Sequence, residues 1–288
     1  MAAFAVICDD LTGAMEIGLH LYRRGLTAEV VLDGQVSIAS SDENRAVVIT
    51  TDTRNTSPTE AAERVGMTLR ELSRAGLELV YKKIDSTLRG NLGTELDVCS
   101  AWGCLDLIVL APALPGSGRI TQQGCHSLLG GKLDDPLSPI SDPFIPALLQ
   151  QQTKLMAEVI DLETVRQGSE PLSQVFTKLK ERGCQVAVVD AVVEQDLRII
   201  AAAIEKSALR LLPCGSAGLF AELKLPFQVR AWEAKESEQP GETRRGPLLI
   251  LSGSPSPVTK EQIRLAKDRG VPLITWAVDP GRARSELE

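Results

Sequence analysis

The chain has 288 residues, 43% of them hydrophobic, enough to bury a full core and more length than one average domain needs. A net charge of −7 and a pI near 5.1 argue against a dedicated nucleic-acid or anionic-membrane surface, and 3% aromatic residues leave no base-stacking platform. No segment is apolar for the length of a membrane span, and the opening Met1 to Cys8 lacks a basic signal-peptide flank, so a cytoplasmic protein is expected.

In chain order, short apolar runs bounded by Gly, Asp or Pro predict strands over Phe4–Cys8, Glu29–Leu32, Ala46–Thr50, Leu77–Ile84 and Leu105–Ala111. Ser57-Pro58-Thr59-Glu60 reads as a capping box with proline at the first helical position. Gly76 closes the helix it starts, which carries Ala62, Val65, Leu69 and Leu72. Leu92, Leu96 and Cys99 give helical spacing over Asn91–Trp102. Residues 112 to 147 are dense in proline and glycine, which predicts an irregular, ordered active-site loop holding Arg119, Thr121 and His126. Further strands at Val159–Leu162, Gln185–Val189 and Leu209–Pro213, with helices at Leu172–Arg182 and Glu194–Lys206, either extend the first sheet or make a second lobe. The strands are nearly continuous in Val, Ile and Leu, so the expected fold is α/β: a mostly parallel sheet with helices on both faces.

Residues 1–223 form that domain in this reading, and the charged stretch 224–246 is a linker. Beyond it, a strand at 247–252, a helix at 258–269 and a strand at 271–277 read as the beginning of a second α/β domain, 247–288, too small to fold alone. Unpaired edges on those two strands invite self-association, so a homodimer is expected. The six cysteines show no C-x-x-C pair and neither histidine has ligand spacing; reduced, buried thiols and no metal site are predicted.

Chemistry concentrates where strands end. Lys82 to Glu95 packs cations, hydroxyls and glycines into one turn, the composition of an anion site outside a strand's carboxyl end. Lys83 and Arg89 offer charge, Ser86, Thr87 and Asn91 offer hydrogen bonds, and Gly90 lets backbone approach a ligand. Asp85 does not suit a site for a bare anion; it fits a ligand with both a carboxylate and hydroxyls, the acid binding the hydroxyls. Asp9 and Asp10, after the first strand, could bind a cation, orient a sugar hydroxyl or take its proton, the structural alternative being a helix cap centred on Thr12. Arg54 could grip a carboxylate; equally, it could pair with Asp52 or another loop acid. Arg119 and His126 sit in the irregular loop. Two small-residue turns, Cys214 to Gly218 and Leu251 to Ser256, could admit phosphate, though neither is a Walker loop. A haloacid-dehalogenase-type phosphatase needs Asp-x-Asp, and here the acids are adjacent.

Taken together, Asp9-Asp10-Leu11-Thr12-Gly13-Ala14, Lys83-Ile84-Asp85-Ser86-Thr87-Leu88-Arg89-Gly90-Asn91, Ala111-Pro112-Ala113 with Gly118-Arg119 and Gly124-Cys125-His126, and Gly215-Ser216-Ala217-Gly218-Leu219 resemble, in this order, the four-carbon acid sugar kinases. The resemblance runs to about residue 277. It implies an ATP- and Mg2+-dependent kinase for threonate, erythronate or 3-oxo-tetronate, with an N-terminal acid-binding lobe and a C-terminal nucleotide lobe. Ser254 matches the first turn of the nucleotide lobe. On this basis the substrate carboxylate is expected to be held by Arg54, Lys83 and Arg89, with Asp9 or Asp10 orienting the terminal hydroxyl and taking its proton. Two features depart from the family: Met15 and Glu16 stand where it commonly has Asn or Thr and then Asp, and its Gly-Gly-Asp/Glu-Thr turn is not in this sequence. The chain is thus expected to carry mainly the acid-binding lobe; the alternative is a catalytically incomplete sugar-acid-binding remnant.

Overall fold

The computed structural model describes residues 4–32, 45–128, 143–225, 250, 252–253 and 257–275. The chain divides into two compact units, Met1–Glu233 and Ala234–Glu288. In the first unit ten strands are described: β1 (Phe4–Cys8), β2 (Thr27–Val31), β3 (Arg45–Thr50), β4 (Glu78–Lys83), β5 (Leu107–Ala111), β6 (Arg119–Gln122), β7 (Cys125–Leu128), β8 (Ala157–Ile160), β9 (Val186–Val189) and β10 (Leu211–Gly215). Eight of them form one sheet in the order β2-β3-β1-β4-β10-β5-β9-β8, every pair parallel. The later strands therefore extend the first sheet and do not make a second lobe.

Period-two alternation along each strand builds two cores. Phe4, Val6 and Cys8 face one layer, with Ala14, Ile17 and Leu21 of α1 (Leu11–Arg23), Phe176 of α6 (Ser169–Glu181), Ile200 of α7 (Glu194–Lys206) and Phe220 of α8 (Ala217–Glu222). Ala5 and Ile7 face the other, with Val65 and Leu69 of α2 (Pro58–Arg74), Leu96 of α3 (Leu92–Trp102) and Leu148 of α4 (Ile145–Gln152). The short α5 (Leu162–Val165) follows β8. Helix α2 starts as its sequence dictates: the Ser57 hydroxyl accepts from the Glu60 N–H at 3.2 Å, Pro58 takes the first turn, and Gly76 follows the last at φ +64°. Helix α1 is capped by Asp10, whose Oδ1 accepts from the Gly13 N–H at 2.8 Å, and not by Thr12.

Helix α1, leaving β1, covers one face of the sheet, whereas α3, leaving the neighbouring β4, covers the other. Divergence of this kind opens a crevice at the carboxyl ends of the two strands, the usual ligand position in open α/β sheets.

Part of the stretch 112–147 is regular, contrary to the sequence reading. Strands β6 and β7 make an antiparallel hairpin across Gln123 and Gly124, both at positive φ, as a tight type I′ turn demands. Helix α4 begins at Ile145 with Pro146 in its first turn, where a missing N–H costs nothing. Among the thiols, Cys8, Cys99, Cys184 and Cys214 are buried and free, but Cys104 and Cys125 are exposed. In the second unit the described residues hold helix α9 (Pro257–Asp268), and residues 271–275 are not a strand. The expected strand at 247–252 falls largely outside the described residues, as does Ser254. The strand edges on which self-association was expected are thus not among the described elements. No helix among the described residues is long and apolar enough to cross a membrane.

Candidate functional site

Asp9 and Asp10 leave β1 at the mouth of the crevice. The Asp9 carbonyl accepts from the Thr53 and Arg54 N–H groups at 2.9 and 3.3 Å, which folds the loop after β3 over the end of β1. Arg54 follows directly: its Nε donates to Asp9 Oδ2 at 2.8 Å, its Nη1 to Asp10 Oδ2 at 2.5 Å, and its Nη2 lies 3.8 Å from Asp85 Oδ1. Of the two readings of Arg54, the structure shows the ion pair, with Asp9 and Asp10 and not with exposed Asp52. Burial opposes the guanidinium charge, but Asp9 above all, with Asp85 and Asp10, holds it firmly protonated.

Lys83 ends β4, and Asp85, Ser86, Arg89, Gly90 and Asn91 lie on the turn between β4 and α3. Asp85 is buried and accepts from Arg89 Nε at 2.5 Å and from the Thr87 hydroxyl at 2.5 Å. Burial alone would favour the neutral acid, yet Arg89, Arg54 and Thr87 together hold its carboxyl well below the usual carboxylate range. Asp85 and Arg89 thus satisfy each other here, where separate roles on hydroxyls and carboxylate were expected. Gly90, at φ +92°, lets the turn pack closely on the neighbouring loop: a Cβ there would stand 3.2 Å from both Cα and the carbonyl oxygen of Arg54. Leu88 is left-handed too, at φ +63°, so this turn holds local strain of a kind that gathers at functional sites. Asn91 ties the turn to the neighbouring loop, its Nδ2 donating to the Thr53 and Thr56 carbonyls at 2.8 and 3.0 Å. Lys83 is 4% exposed; its ammonium donates to the Ile84 carbonyl at 3.0 Å and lies 3.6 Å from Glu16 Oε2.

The hairpin supplies Arg119 and His126. His126 is buried, with Nε2 2.9 Å from the Ser86 carbonyl and Nδ1 2.9 Å from the Thr121 hydroxyl. A carbonyl can only accept, so Nε2 carries the proton and Nδ1 accepts from Thr121. Burial, and then Arg119 nearby, push the imidazole pKa down despite the Ser86 bond, so the ring is neutral. His126 therefore straps the hairpin to the β4–α3 turn with both nitrogens engaged. At the hairpin tip, buried Asp190 accepts from the Gln123 and Gly124 N–H groups at 2.5 and 2.9 Å.

Two polar atoms of the predicted residues stay uncommitted. Asp9 Oδ1 and Arg119 Nε are buried without a hydrogen-bond partner among the described residues. Buried polar groups are nearly always paired, so Asp9 Oδ1 and Arg119 Nε stand out as atoms open to a further partner. The acids at the crevice are engaged by arginine, and the described residues hold no cluster of His, Cys, Asp or Glu fit for a metal ion.

Sequence reasoning missed the layer beneath. Fully buried Lys82 pairs with Glu95 Oε2 at 2.5 Å, and Glu95 Oε1 accepts from the Thr53 hydroxyl at 2.7 Å. A signal was present: Glu95 falls on the apolar helical face of Leu92, Leu96 and Cys99, where a carboxylate needs a buried cation. The turn Gly215-Ser216-Ala217-Gly218 proves to be packing: the buried Ser216 hydroxyl donates to the Ala113 carbonyl at 2.8 Å. A cavity of about 440 Å³ lies at the opposite end of the sheet, lined by Leu72, Leu77, Leu105 and Leu211 among others, and contains none of the predicted site residues.

A parallel sheet with a charged crevice at a strand divergence defines a small-molecule-binding α/β protein. Residues 4–223 match a family described as "Sugar-binding N-terminal domain". Over its whole length the chain is 32% identical to a D-erythronate kinase of Heliobacterium modesticaldum, covering 66% of that protein. Over 92% of its length it is 35% identical to a D-threonate kinase of Salmonella typhimurium, covering 61% of it. A solved structure from Bordetella bronchiseptica, a domain-swapped dimer with bound citrate, matches 97% of this chain and 66% of its own at a TM-score of 0.64 and 27% identity. The chain belongs to the four-carbon acid sugar kinase family. It spans less than two thirds of the length of either kinase.

Proposed function

We propose that this chain is the acid-binding part of an ATP-dependent kinase for a four-carbon sugar acid of the threonate, erythronate or 3-oxo-tetronate class. In this reading it is a cytoplasmic protein whose residues 1–223 receive the acid and whose nucleotide lobe begins after the 224–246 linker. The observation that carries the reading is the buried, unpartnered Oδ1 of Asp9 at the crevice mouth. A carboxylate oxygen in that state suits a substrate hydroxyl, which it orients and whose proton it accepts as the hydroxyl attacks phosphorus. Phosphoryl transfer depends mostly on positioning and charge stabilisation, and Arg54 supplies the positioning by fixing Asp9 and Asp10 together.

Arg54 and Arg89 are committed to acids, so the substrate carboxylate moves in this reading to Arg119 and Lys83. Arg119 brings a buried donor without an acceptor, and Lys83, besides its bond to the Ile84 carbonyl, faces the partly exposed Glu16 at 3.6 Å. The names of the two kinase relatives and the citrate in the Bordetella structure support a hydroxylated carboxylic acid as ligand. Binding is the direct test. Isothermal calorimetry of the 288-residue chain is expected to give saturable heat with D-threonate, D-erythronate or 3-oxo-tetronate, reduced at least about ten-fold in affinity by Arg119→Ala. Absence of binding by all three acids at millimolar concentration would overturn the reading.

A further inference from the structure

Beneath the crevice lies a buried ion pair, Lys82 with Glu95. Lys82 and Glu95 are 0% and 2% exposed, and their ammonium and carboxylate stand 2.5 Å apart. Burial disfavours the Lys82 charge, but Glu95, with Asp9 further off, holds it protonated. Such a pair is a poor source of stability, because desolvating two ions offsets most of their attraction, and apolar residues of the same volume often do as well. The interaction it makes beyond itself is therefore the informative one.

That interaction is Thr53. Its hydroxyl donates to Glu95 Oε1 at 2.7 Å and lies 2.8 Å from the Thr51 hydroxyl, which reaches the Cys8 carbonyl at 3.1 Å. Its N–H donates to the Asp9 carbonyl at 2.9 Å, and its own carbonyl accepts from Asn91 at 2.8 Å. Side chain and backbone of one residue thus join α3 to the end of β1, and the next residue is Arg54. Asp9 and Glu95 also line the same small cavity.

We propose that Glu95, paired with Lys82, is a positioning residue that acts through Thr53 to hold Arg54 across Asp9 and Asp10. The proposal rests on the reading of this crevice as the acid site. It adds that the geometry of the site is set from below, by a buried charge on α3 gripping the loop after β3. Thr53 is the place to break the link, since its removal leaves the buried ion pair intact and spares the fold an unpaired charge.

The test is Thr53→Val, which keeps the shape and removes the hydroxyl, beside Thr53→Ser, which restores it. Two measurements are made on the 288-residue chain. Solvent exchange of the Arg54 Nε–H, followed by NMR without any ligand, is expected to quicken about ten-fold or more in Thr53→Val and to return to the wild-type rate in Thr53→Ser. Calorimetry with D-threonate and D-erythronate is expected to show a parallel loss of affinity of about ten-fold, again restored by serine. Unchanged exchange in Thr53→Val overturns the proposal. Failure of the wild-type chain to bind either acid would count against the acid-site reading alone, because the exchange measurement decides the positioning role without ligand. A change in exchange not restored by serine reports general loosening of the loop and also overturns it.

Discussion

A buried imidazole that straps two segments together is stable there only while neutral, and this makes His126 a source of pH dependence. Its pKa is lowered from 6.5 in the fold by burial. Below that value the unfolded chain binds a proton that the folded chain refuses, so stability is full above pH 6.5 and falls as pH drops towards the folded pKa, by at most about 1.4 kcal/mol per pH unit. Urea midpoints at pH 7.5 and 5.5 are expected to differ more for wild type than for His126→Gln, which is less stable at pH 7.5 but flatter. His20 is shifted in the same direction by burial, so His20→Gln serves as the companion control. Equal slopes in wild type and His126→Gln would refute the assignment. His126 also shows what sequence alone conveyed at this scale. One of the chain's two histidines, it falls in the stretch that the sequence predicts to be an active-site loop, but the partners that engage both of its nitrogens are set by the fold. The same holds for Arg54 and Asp9, 45 residues apart in sequence and 2.8 Å apart in space. Asp85, in contrast, already stood out as an acid that a bare anion site would avoid, and its local pairing with Arg89 four residues on is the physical reason it is there.

At the level of elements, glycine shows where strand spacing and helix packing impose opposite demands. Gly215, on β10, lies beside Ala111 of β5, and a Cβ there would stand 2.2 Å from the Ala111 carbonyl oxygen. Backbone cannot swing aside as a side-chain tip can, so Gly215→Ala is expected to cost about 1–3 kcal/mol, roughly 2–12 °C in Tm. Gly66 lies inside α2, where an added Cβ would meet only the Arg70 guanidinium at 3.5 Å and Val98 at 3.8 Å. There the substitution removes backbone freedom from the unfolded chain, so Gly66→Ala is expected to add about 0.5–1 kcal/mol. Differential scanning calorimetry of the two variants checks the opposite signs; matching shifts in one direction would defeat the packing argument. Elements whose signals are local were legible in the sequence: β1 from an apolar run ending in acids, and α2 from Ser57, Pro58 and Gly76. The hairpin and α4 were not, because proline and glycine density was read as irregularity. Gln123-Gly124 is a tight two-residue turn, and Pro146 occupies a helix start, where proline fits.

On the scale of the whole molecule, the large sheet and the cores on both its faces are built, among the described residues, from residues 4 to 225. The last helix of that unit is also held from within it. Arg24, at the end of α1, donates to the Leu223 carbonyl at 2.9 Å and to the Phe220 carbonyl at 3.1 Å, satisfying the open carboxyl end of α8, and its guanidinium lies over the Phe220 ring. Phe220 packs edge-on against Tyr81, whose hydroxyl donates to the Ser216 carbonyl at 2.6 Å. Nothing in this chain of contacts draws on residues beyond Leu225. A chain cut after Leu225 is therefore expected to melt cooperatively within about 4 °C of the full chain, the shift that roughly 1 kcal/mol makes in a domain of this size. It should also bind four-carbon sugar acids with affinity within about three-fold of the full chain, since every residue assigned to the acid lies in the part retained. Circular dichroism melts and calorimetry on the two lengths make the comparison. A Tm lowered by more than about 10 °C would mean that the sheet depends on the segment removed, and a fold read as self-contained would have to be redrawn. Retained stability with acid binding lost would instead place part of the acid site beyond residue 225 and leave the architecture of the first unit standing.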